Sequence, residues 1–331
     1  MPPPHSAILI HVKFSKRRII LLATVWALLV LIWPSSTQLP SEVDPEAHNP
    51  KLGEGLYKSV STKANFGLVG VRYYEAAEGR KHWHIESKYA ELHRKENYAF
   101  LTEVLAEFFS KNTGNVVTTQ SQYGRSWNDK NLIELEGDVK IRSKKGYLFE
   151  MDKMLYKSAK HEFTSEDRVR MRGPQANRPT MLLSGTGLQA DIDREEFLLQ
   201  RKVNAERKMK GSGALKIVAD SGQFFTHESR SVFLGNVHAK MPSTEIESDV
   251  FELSMDRDDE IVAASGNVRL KNRGRVATAE SALIELNGNE VILEGKARID
   301  SEDNRIEGRK IRIYTDDDRI DVEEASGSVE Q

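Results

Sequence analysis

Three sets of residues have types and spacing that point towards chemistry. His82 and His84 flank Trp83. On a strand both imidazoles share one face, and two neutral ring nitrogens are the start of a metal site. No third ligand stands near them in the sequence, so the expectation is a polar strand face with Trp83 turned inward and no metal. Asp316-Asp317-Asp318 offers oxygens to calcium but lacks the ligand spacing of a known calcium loop, and reads as a solvated turn. Arg201, Lys202, Arg207, Lys208 and Lys210 could meet lipid phosphates. A solvated hairpin, or a junction between two segments, accounts for them better.

The remaining chemistry is excluded by what is missing. There is no Gly-rich phosphate loop, no HExxH and no GxSxG. With 0 cysteines, disulfides, thiolate catalysis and Cys-based metal sites are ruled out. A carbohydrate-active enzyme needs paired carboxylates on one inward-facing patch, whereas the acidic residues here fall mainly on a polar phase or in turns. No catalytic residue and no cofactor are therefore expected. Lys and Arg number 48 against 50 Asp and Glu, so no basic excess invites nucleic acid. Apolar residues at 39% with charged residues at 30% suit thin layers with one wet face better than a thick core.

The elements that would carry function begin with an apolar run. Ile19 to Trp33 holds 15 residues without a charge, preceded by Lys13, Lys16, Arg17 and Arg18 and followed by Pro34. A bilayer core takes about 20 apolar residues, a gap that snorkelling of Arg17 and Arg18 closes. The basic flank predicts a single transmembrane helix over 19–34, with residues 1–18 in the cytoplasm and everything later on the far side. The competing reading is a cleaved signal peptide, and either way the rest of the chain is exported. Residues 35–60, with Pro40, Pro45 and Pro50 and few large apolar side chains, read as a tether.

Beyond the tether the sequence repeats. Gly235-Asn236-Val237, Gly266-Asn267-Val268, Gly295-Lys296-Ala297 and Gly327-Ser328-Val329 recur at steps of 31, 29 and 32, and Gly137-Asp138-Val139 is an upstream copy. A second phrase, small then polar, precedes each: Ala219-Asp220, Ser248-Asp249, Ala279-Glu280 and Gly308-Arg309. A fixed period of this size marks a repeat architecture. Within each copy the period is two, as in Ile133, Leu135, Gly137, Val139 and Ile141, which predicts strands with one face in and one face out. Around Gly235 the phase slips from Val232 and Leu234 to Val237 and Ala239, predicting a β-bulge. Turns are expected at 256–259, 287–289 and 316–318. Each repeat then makes two strands, one for each of two facing sheets, and about eight copies give a stack on the order of 40 Å long. One stretch resists: Phe100, Leu101, Val104, Leu105, Phe108 and Phe109 recur at three and four, which favours an amphipathic helix over 98–110.

These phrases resemble a known family. Val71-Arg72 through Ala90, with Gly79, Trp83, Ile85 and Ser87, is similar to the start of the periplasmic domain of LptC, the single-span component of the lipopolysaccharide exporter, and so are Leu135-x-Gly-x-Val and Gly185-x-Gly187-Leu188. Residues 211–331 resemble the OstA/LptA repeat of the soluble bridge protein. The resemblance implies an all-β chain, a repetitive two-sheet β-jelly roll with an open V-shaped section. Residues 61–210 would be an LptC-like roll and 211–331 an LptA/OstA-like segment, and strands replace the helix over 98–110. It implies inner-membrane anchoring with the bulk in the periplasm, and lipopolysaccharide as ligand. The implied partners are LptF/LptG-like permeases with an LptB-like ATPase, and an LptA-like bridge protein paired edge to edge, for which an uncapped final strand near Gln331 would suit. On this reading Leu135, Val139, Ile141, Phe149, Met151, Val169, Met171, Val237 and Val268 line the acyl-binding groove, and Gly137, Gly185, Gly187, Gly235, Gly266 and Gly295 are structural. In a closed roll the same apolar residues are simply core, and the protein is then a structural or adhesive periplasmic β-solenoid without a lipid ligand.

Overall fold

A computed structural model of the chain describes residues 66–77, 80–127, 129–173, 181–209, 213–255, 260–272, 274–286, 290–301, 304–314 and 319–329. The expected cytoplasmic segment, transmembrane helix and tether, the three turns named above and Lys210 lie outside them. Among the described residues no helix is long and apolar enough to cross a membrane.

The described chain is all-β. The first nine strands are β1 (Phe66–Ala77), β2 (Arg80–His93), β3 (Tyr98–Phe109), β4 (Val116–Trp127), β5 (Leu132–Ser143), β6 (Leu148–Lys157), β7 (Glu162–Gly173), β8 (Met181–Asp191) and β9 (Glu196–Lys208). They continue as β10 (Ala214–Ala219), β11 (Ser221–Phe225), β12 (Arg230–Lys240), β13 (Thr244–Met255), β14 (Glu260–Asn272), β15 (Arg275–Glu285), β16 (Glu290–Ser301), β17 (Asn304–Tyr314), β18 (Ile320–Glu323) and β19 (Ser326–Val329). Consecutive strands pair antiparallel from end to end. β10 and β11 both pair with β9 and with β12, as two halves of one strand broken at Asp220, and β18 and β19 likewise share β17.

The repeat phrases sit at mid-strand. The register shifts by one residue at Gly137-Asp138 in β5, Gly235-Asn236 in β12, Gly266-Asn267 in β14 and Gly295-Lys296 in β16. Both residues of each phrase have positive φ, +74° and +49° for Gly266 and Asn267, a conformation that glycine and asparagine enter most easily. The second phrase lies on the neighbouring strand, over the glycine. A Cβ on Gly235, Gly266 or Gly295 would fall within 2.5 Å of a carboxylate oxygen of Asp220, Asp249 or Glu280. Those carboxylates hold the residue after the glycine: Asn236 Nδ2 donates to Asp220 at 2.7 Å, Asn267 Nδ2 to Asp249 at 2.8 Å, and Lys296 pairs with Glu280 at 2.9 Å. The two phrases are one contact. Upstream, Gln122 and Gln200 take the place of the acid over Gly137 and Gly187, whereas a Cβ on Gly185 would meet Leu199 and the Arg201 carbonyl.

The line of bulges folds the single sheet along its length, so that every strand contributes half of itself to each of two walls. Phe108, at the end of β3, packs on Tyr156 at the far end of β6 with ring centroids 4.3 Å apart, and on Phe163 of β7 at 5.0 Å. Phe149 at the start of β6 meets Phe197 at the start of β9 edge-on at 5.0 Å. These contacts join opposite strand ends across the interior. One apolar core follows the fold from Trp83 to Ile311. Each repeat therefore adds two strands to each wall, not one. At about 4.8 Å per strand the stack is on the order of 80 Å long, twice the sequence expectation.

Two local readings are corrected. Residues 98–109 are strand, as the family resemblance implies and against the helical period. The interior phase runs Ala99, Leu101, then Val104, Ala106, Phe108, because the pleat slips at Glu103, φ +50°, while the pairing with β2 and β4 keeps its register. A strand with one phase slip reproduces the spacings of three and four of a helix. At Gly235 the bulge is present but the interior phase does not slip: Ser231, Phe233, Val237 and Ala239 stay inward. Val232 faces the other way, in a small outer cluster with Phe225, Val250 and Leu234.

Candidate functional site

The apolar phase of the walls forms the candidate site, and the turns along the two rims close it. Lys111 N donates to Asp193 Oδ1 at 2.7 Å and Asn112 Nδ2 to the Asp193 carbonyl at 3.3 Å. Asn115 Nδ2 and Lys145 Nζ both donate to the Glu195 carboxylate, and Lys145 Nζ also reaches the Thr226 carbonyl at 3.4 Å. Lys111, Asn112, Asn115 and Lys145 belong to the β3–β4 and β5–β6 turns on one rim. Asp193, Glu195 and Thr226 belong to the β8–β9 and β11–β12 turns on the other. The seam is thus polar, and sits directly above aromatic core.

Beneath this seam lies a small cleft with a void of about 90 Å³, below the roughly 300–1,000 Å³ of small-molecule sites. Val117, Ile141, Tyr147, Phe149, Leu188 and Phe197 are among its walls, and Lys144, Lys145 and Glu195 are at its mouth. Burial pushes the Glu195 carboxyl up, but hydrogen bonds from Lys145 and Asn115, with the charge of Lys145, outweigh it and hold the group below the usual carboxylate range. Glu195 is ionised at neutral pH.

The nine groove candidates are all inward and buried: Leu135, Val139, Ile141, Phe149, Met151, Val169, Met171, Val237 and Val268. They divide by position. Ile141 and Phe149 line the cleft. Met171 reaches a second, larger concavity over β7–β10, with Arg168, Arg170, Arg172, Leu182 and Val218 around it. Leu135, Val139, Met151, Val169, Val237 and Val268 are closed into the core. Phe163, Leu188 and Phe197, which also line the cleft, were recoverable from the same alternation. The rim residues Asn115, Glu195 and Thr226 carry no sequence signal, because only the folding of the sheet brings those turns together.

The other chemical candidates resolve differently. His84 lies 3.8 Å from Glu86 and 3.5 Å from Glu107, while the His82 ring meets that of His161 edge-on at 5.2 Å. Among the described residues no group of three or more His, Asp or Glu is arranged to hold a metal. His161 is buried with both ring nitrogens lacking a hydrogen bond. Burial lowers its pKa, partly offset by the Asp193 carboxylate 3.6 Å away. In the basic group, Arg201 pairs with Glu166 at 3.2 Å on the surface. Arg207 departs from the solvated reading: it points inward from β9, 6% exposed, and pairs with Glu260 of β14, 7% exposed. Desolvation depresses the arginine and its partner restores part of the shift.

Comparison with known proteins supplies the context. Residues 62–208 match the family model described as lipopolysaccharide-assembly, LptC-related. Residues 216–319 match the model of the LptA/(LptD N-terminal domain) LPS transport protein. A crystal structure of LptH, the LptA homologous periplasmic component of the conserved lipopolysaccharide transport device from Pseudomonas aeruginosa, is similar at 18% identity. The similarity covers 35% of this chain and 95% of that one, with a TM-score of 0.34. No curated protein matches. The chain carries an LptC-related segment followed by an LptA/LptD N-terminal-like segment, and the boundary falls at the β9–β10 turn. The sheet runs through that boundary, with Ala214 to Ala219 of β10 paired to Lys208 to Val203 of β9.

Proposed function

We propose that this chain, in which an LptC-related segment passes without a break into an LptA/LptD N-terminal-like one, is a non-enzymatic component of a lipopolysaccharide export bridge. It receives lipopolysaccharide from an inner-membrane ABC transporter and passes the acyl chains along the interior of the roll towards the outer membrane. The observation that carries this reading is the continuity of the inward apolar phase across the β9–β10 junction. Leu199, Val203 and Ala205 lead into Leu215, Ile217 and Phe224, and the rings of Phe197 and Phe224 stack at 4.6 Å. Acyl chains crossing water expose CH₂ groups at about 0.8 kcal/mol each, and an unbroken apolar path lowers that barrier without chemistry. The energy comes from partners, LptF/LptG-like permeases with an LptB-like ATPase, since no phosphate loop is present. Ile19 to Trp33 anchors the chain as a single span in the inner membrane, with the roll in the periplasm as an anchored acceptor (61–210) and a bridge-like extension (211–331).

Edge pairing supplies the contacts to neighbours. Among the described residues β1 pairs only with β2, and its inward Phe66 and Leu68 are 48% and 42% exposed. An added strand would complete the ladder and cover them. Photo-crosslinkers at Ile141 and Phe149 are expected to capture lipopolysaccharide in cells, and one at the outward Lys140 to capture none. Capture from Lys140 alone would overturn the carrier reading. The second reading, a structural β-solenoid without lipid, is favoured by the closed packing at Leu135, Val139 and Val169, all 0% exposed. It predicts no capture anywhere and unchanged outer-membrane lipid on depletion.

A further inference from the structure

The cleft beneath the seam is the place where the interior and a charged rim meet. Two acidic residues hold its closure: Asp193 accepts from Lys111 N and Asn112 Nδ2, and Glu195, beside the cleft, accepts from Asn115 and Lys145, all donors on the opposite rim. Lys145 has a second acceptor there, the Thr226 carbonyl. Lys144, next to it in the β5–β6 turn, is exposed and has no ion pair among the described residues. Directly below stand Tyr147, Phe149, Leu188 and Phe197. Glu195 itself is held at φ +56°, in the left-handed region that a glutamate rarely occupies.

We propose that this seam is a lateral entry port for an anionic amphiphile, whose acyl chain enters between the 144–147 and 192–195 turns while its anionic head takes Lys145 and Lys144 in exchange for Glu195. The inference rests on the carrier reading and deepens it by naming the point and the chemistry of entry. Three features support it. An incoming phosphate or carboxylate satisfies the donors that Glu195 releases, so no buried donor is left bare by the exchange. The freed Glu195 lies on a turn and can turn to water. The cleft holds a void of about 90 Å³ walled by aromatic and aliphatic side chains, a starting point for the end of the chain as the walls part. Entry at the side also lets a lipid join the interior without threading from the end of an 80 Å stack, a length set by roughly 17 strand positions at about 4.8 Å.

The test uses the full chain in detergent micelles with two fluorescent probes of equal chain length, a fatty acid and the corresponding fatty alcohol. Because the chain has 0 cysteines, N115C/E195C joined by a reducible crosslinker places one staple across the seam. N112C/D193C, across the same seam, is the second staple, should the first misfold, and unfolding curves check both. The stapled protein is expected to bind the fatty acid at least about tenfold more weakly and to recover on reduction. K144Q/K145Q is expected to weaken the fatty acid about fivefold, with the alcohol unchanged, which is roughly one exposed charge-assisted hydrogen bond. E195Q, which frees Lys145, is expected to bind the fatty acid more tightly. Equal binding in stapled and reduced protein, or equal loss of acid and alcohol in K144Q/K145Q, would overturn the port. These results are separable from the carrier reading. Photo-capture at Phe149 with a stapled seam that still admits lipid leaves the carrier and rejects the port. Absent photo-capture in cells rejects the carrier whatever the probes do.

Discussion

The contact between the two repeat phrases can be measured at Gly266. Replacing it by alanine imposes two costs. The first is conformational: φ +74° is left-handed, which costs an L-residue about 1–2 kcal/mol, partly offset by about 0.4–1 kcal/mol from the stiffer unfolded chain. The second is steric. The new Cβ would lie 2.4 Å from Asp249 Oδ2 and 2.8 Å from Asp249 Cβ. The Cβ contact means that rotating the carboxylate tip does not relieve the clash, so the whole Asp249 side chain must leave and its 2.8 Å hydrogen bond from Asn267 is lost. That bond is worth about 0.5–1.5 kcal/mol. The total is about 2–3 kcal/mol, or roughly 5 °C in Tm for a domain of this size. Gly274 is the internal control: its φ is +81° and a Cβ there meets nothing within 4 Å, so G274A should cost only about 1 kcal/mol, the conformational part. In the D249G background, which removes both the carboxylate and the Cβ, G266A should fall to the same cost, a coupling of about 1 kcal/mol or more in a double-mutant cycle. Thermal or urea unfolding of the four variants decides it. If G266A costs no more than G274A, or if D249G leaves the cost of G266A unchanged, the account of why the two phrases travel together is wrong.

The buried pair across the segment junction should respond asymmetrically. R207M or E260Q alone is expected to destabilise by about 3–5 kcal/mol, while R207M/E260M returns close to the parent midpoint, because removing both charges removes both desolvation costs. Glu252 is 1% exposed with neither carboxylate oxygen hydrogen-bonded, and burial raises its pKa against a partial opposing pull from Arg230. A raised native pKa means the stability contribution is full below the ordinary carboxylate value and is lost as pH rises through the native one. E252Q should therefore flatten the decline of Tm with pH and be more stable than the parent at pH 8; an unchanged pH profile would count against it. Phe108, 0% exposed between Tyr156 and Phe163, joins the two walls, and F108A should cost about 3–5 kcal/mol by denaturant unfolding.

Much of the fold was legible because strand alternation is a local signal. The inward positions from Ile133 to Ile141 follow directly from side-chain chemistry. The bulge glycines were legible as a repeat but not as a contact, since Asp249 and Gly266 meet only through strand register. The helical reading of 98–110 failed for a reason that sequence alone hides: the pleat slips at Glu103 with the strand register kept, and a slipped strand mimics a helical period. The candidate site was legible only on its apolar side. Phe149 and Ile141 could be found by alternation, but the pairing of Lys145 with Glu195 depends on the fold line, which brings opposite ends of strands together. Arg207 was misplaced because a charged residue in a basic cluster looks solvated until a partner 53 positions away is found inside.

The closed interior and the proposed function are reconciled by what the bulge line does to the energetics of opening. A trough left open in water would expose a long apolar stripe, the kind of surface that drives association. Folding the sheet at mid-strand lets one wall cover the other in the absence of lipid, with Phe149 on Phe197 and Phe108 on Tyr156 as the covering contacts. A lipid that enters the fold exchanges wall-to-wall contact for wall-to-acyl contact, so the apolar area hidden from water is roughly conserved and the hydrophobic term nearly cancels. What remains to be broken is the polar seam, whose acceptor Glu195 is replaceable by an anionic head. The fold line helps, because the bulged residues are already unpaired and the angle between walls changes there without breaking a ladder hydrogen bond. A carrier built this way needs neither a permanent cavity nor a nucleotide site. On this reasoning the tight packing at Leu135 and Val139 separates the two readings by its response to ligand. Hydrogen exchange of the strand ends flanking the seam should rise when the anionic probe binds if the walls part, and fall if the interior is an inert core that lipid merely coats.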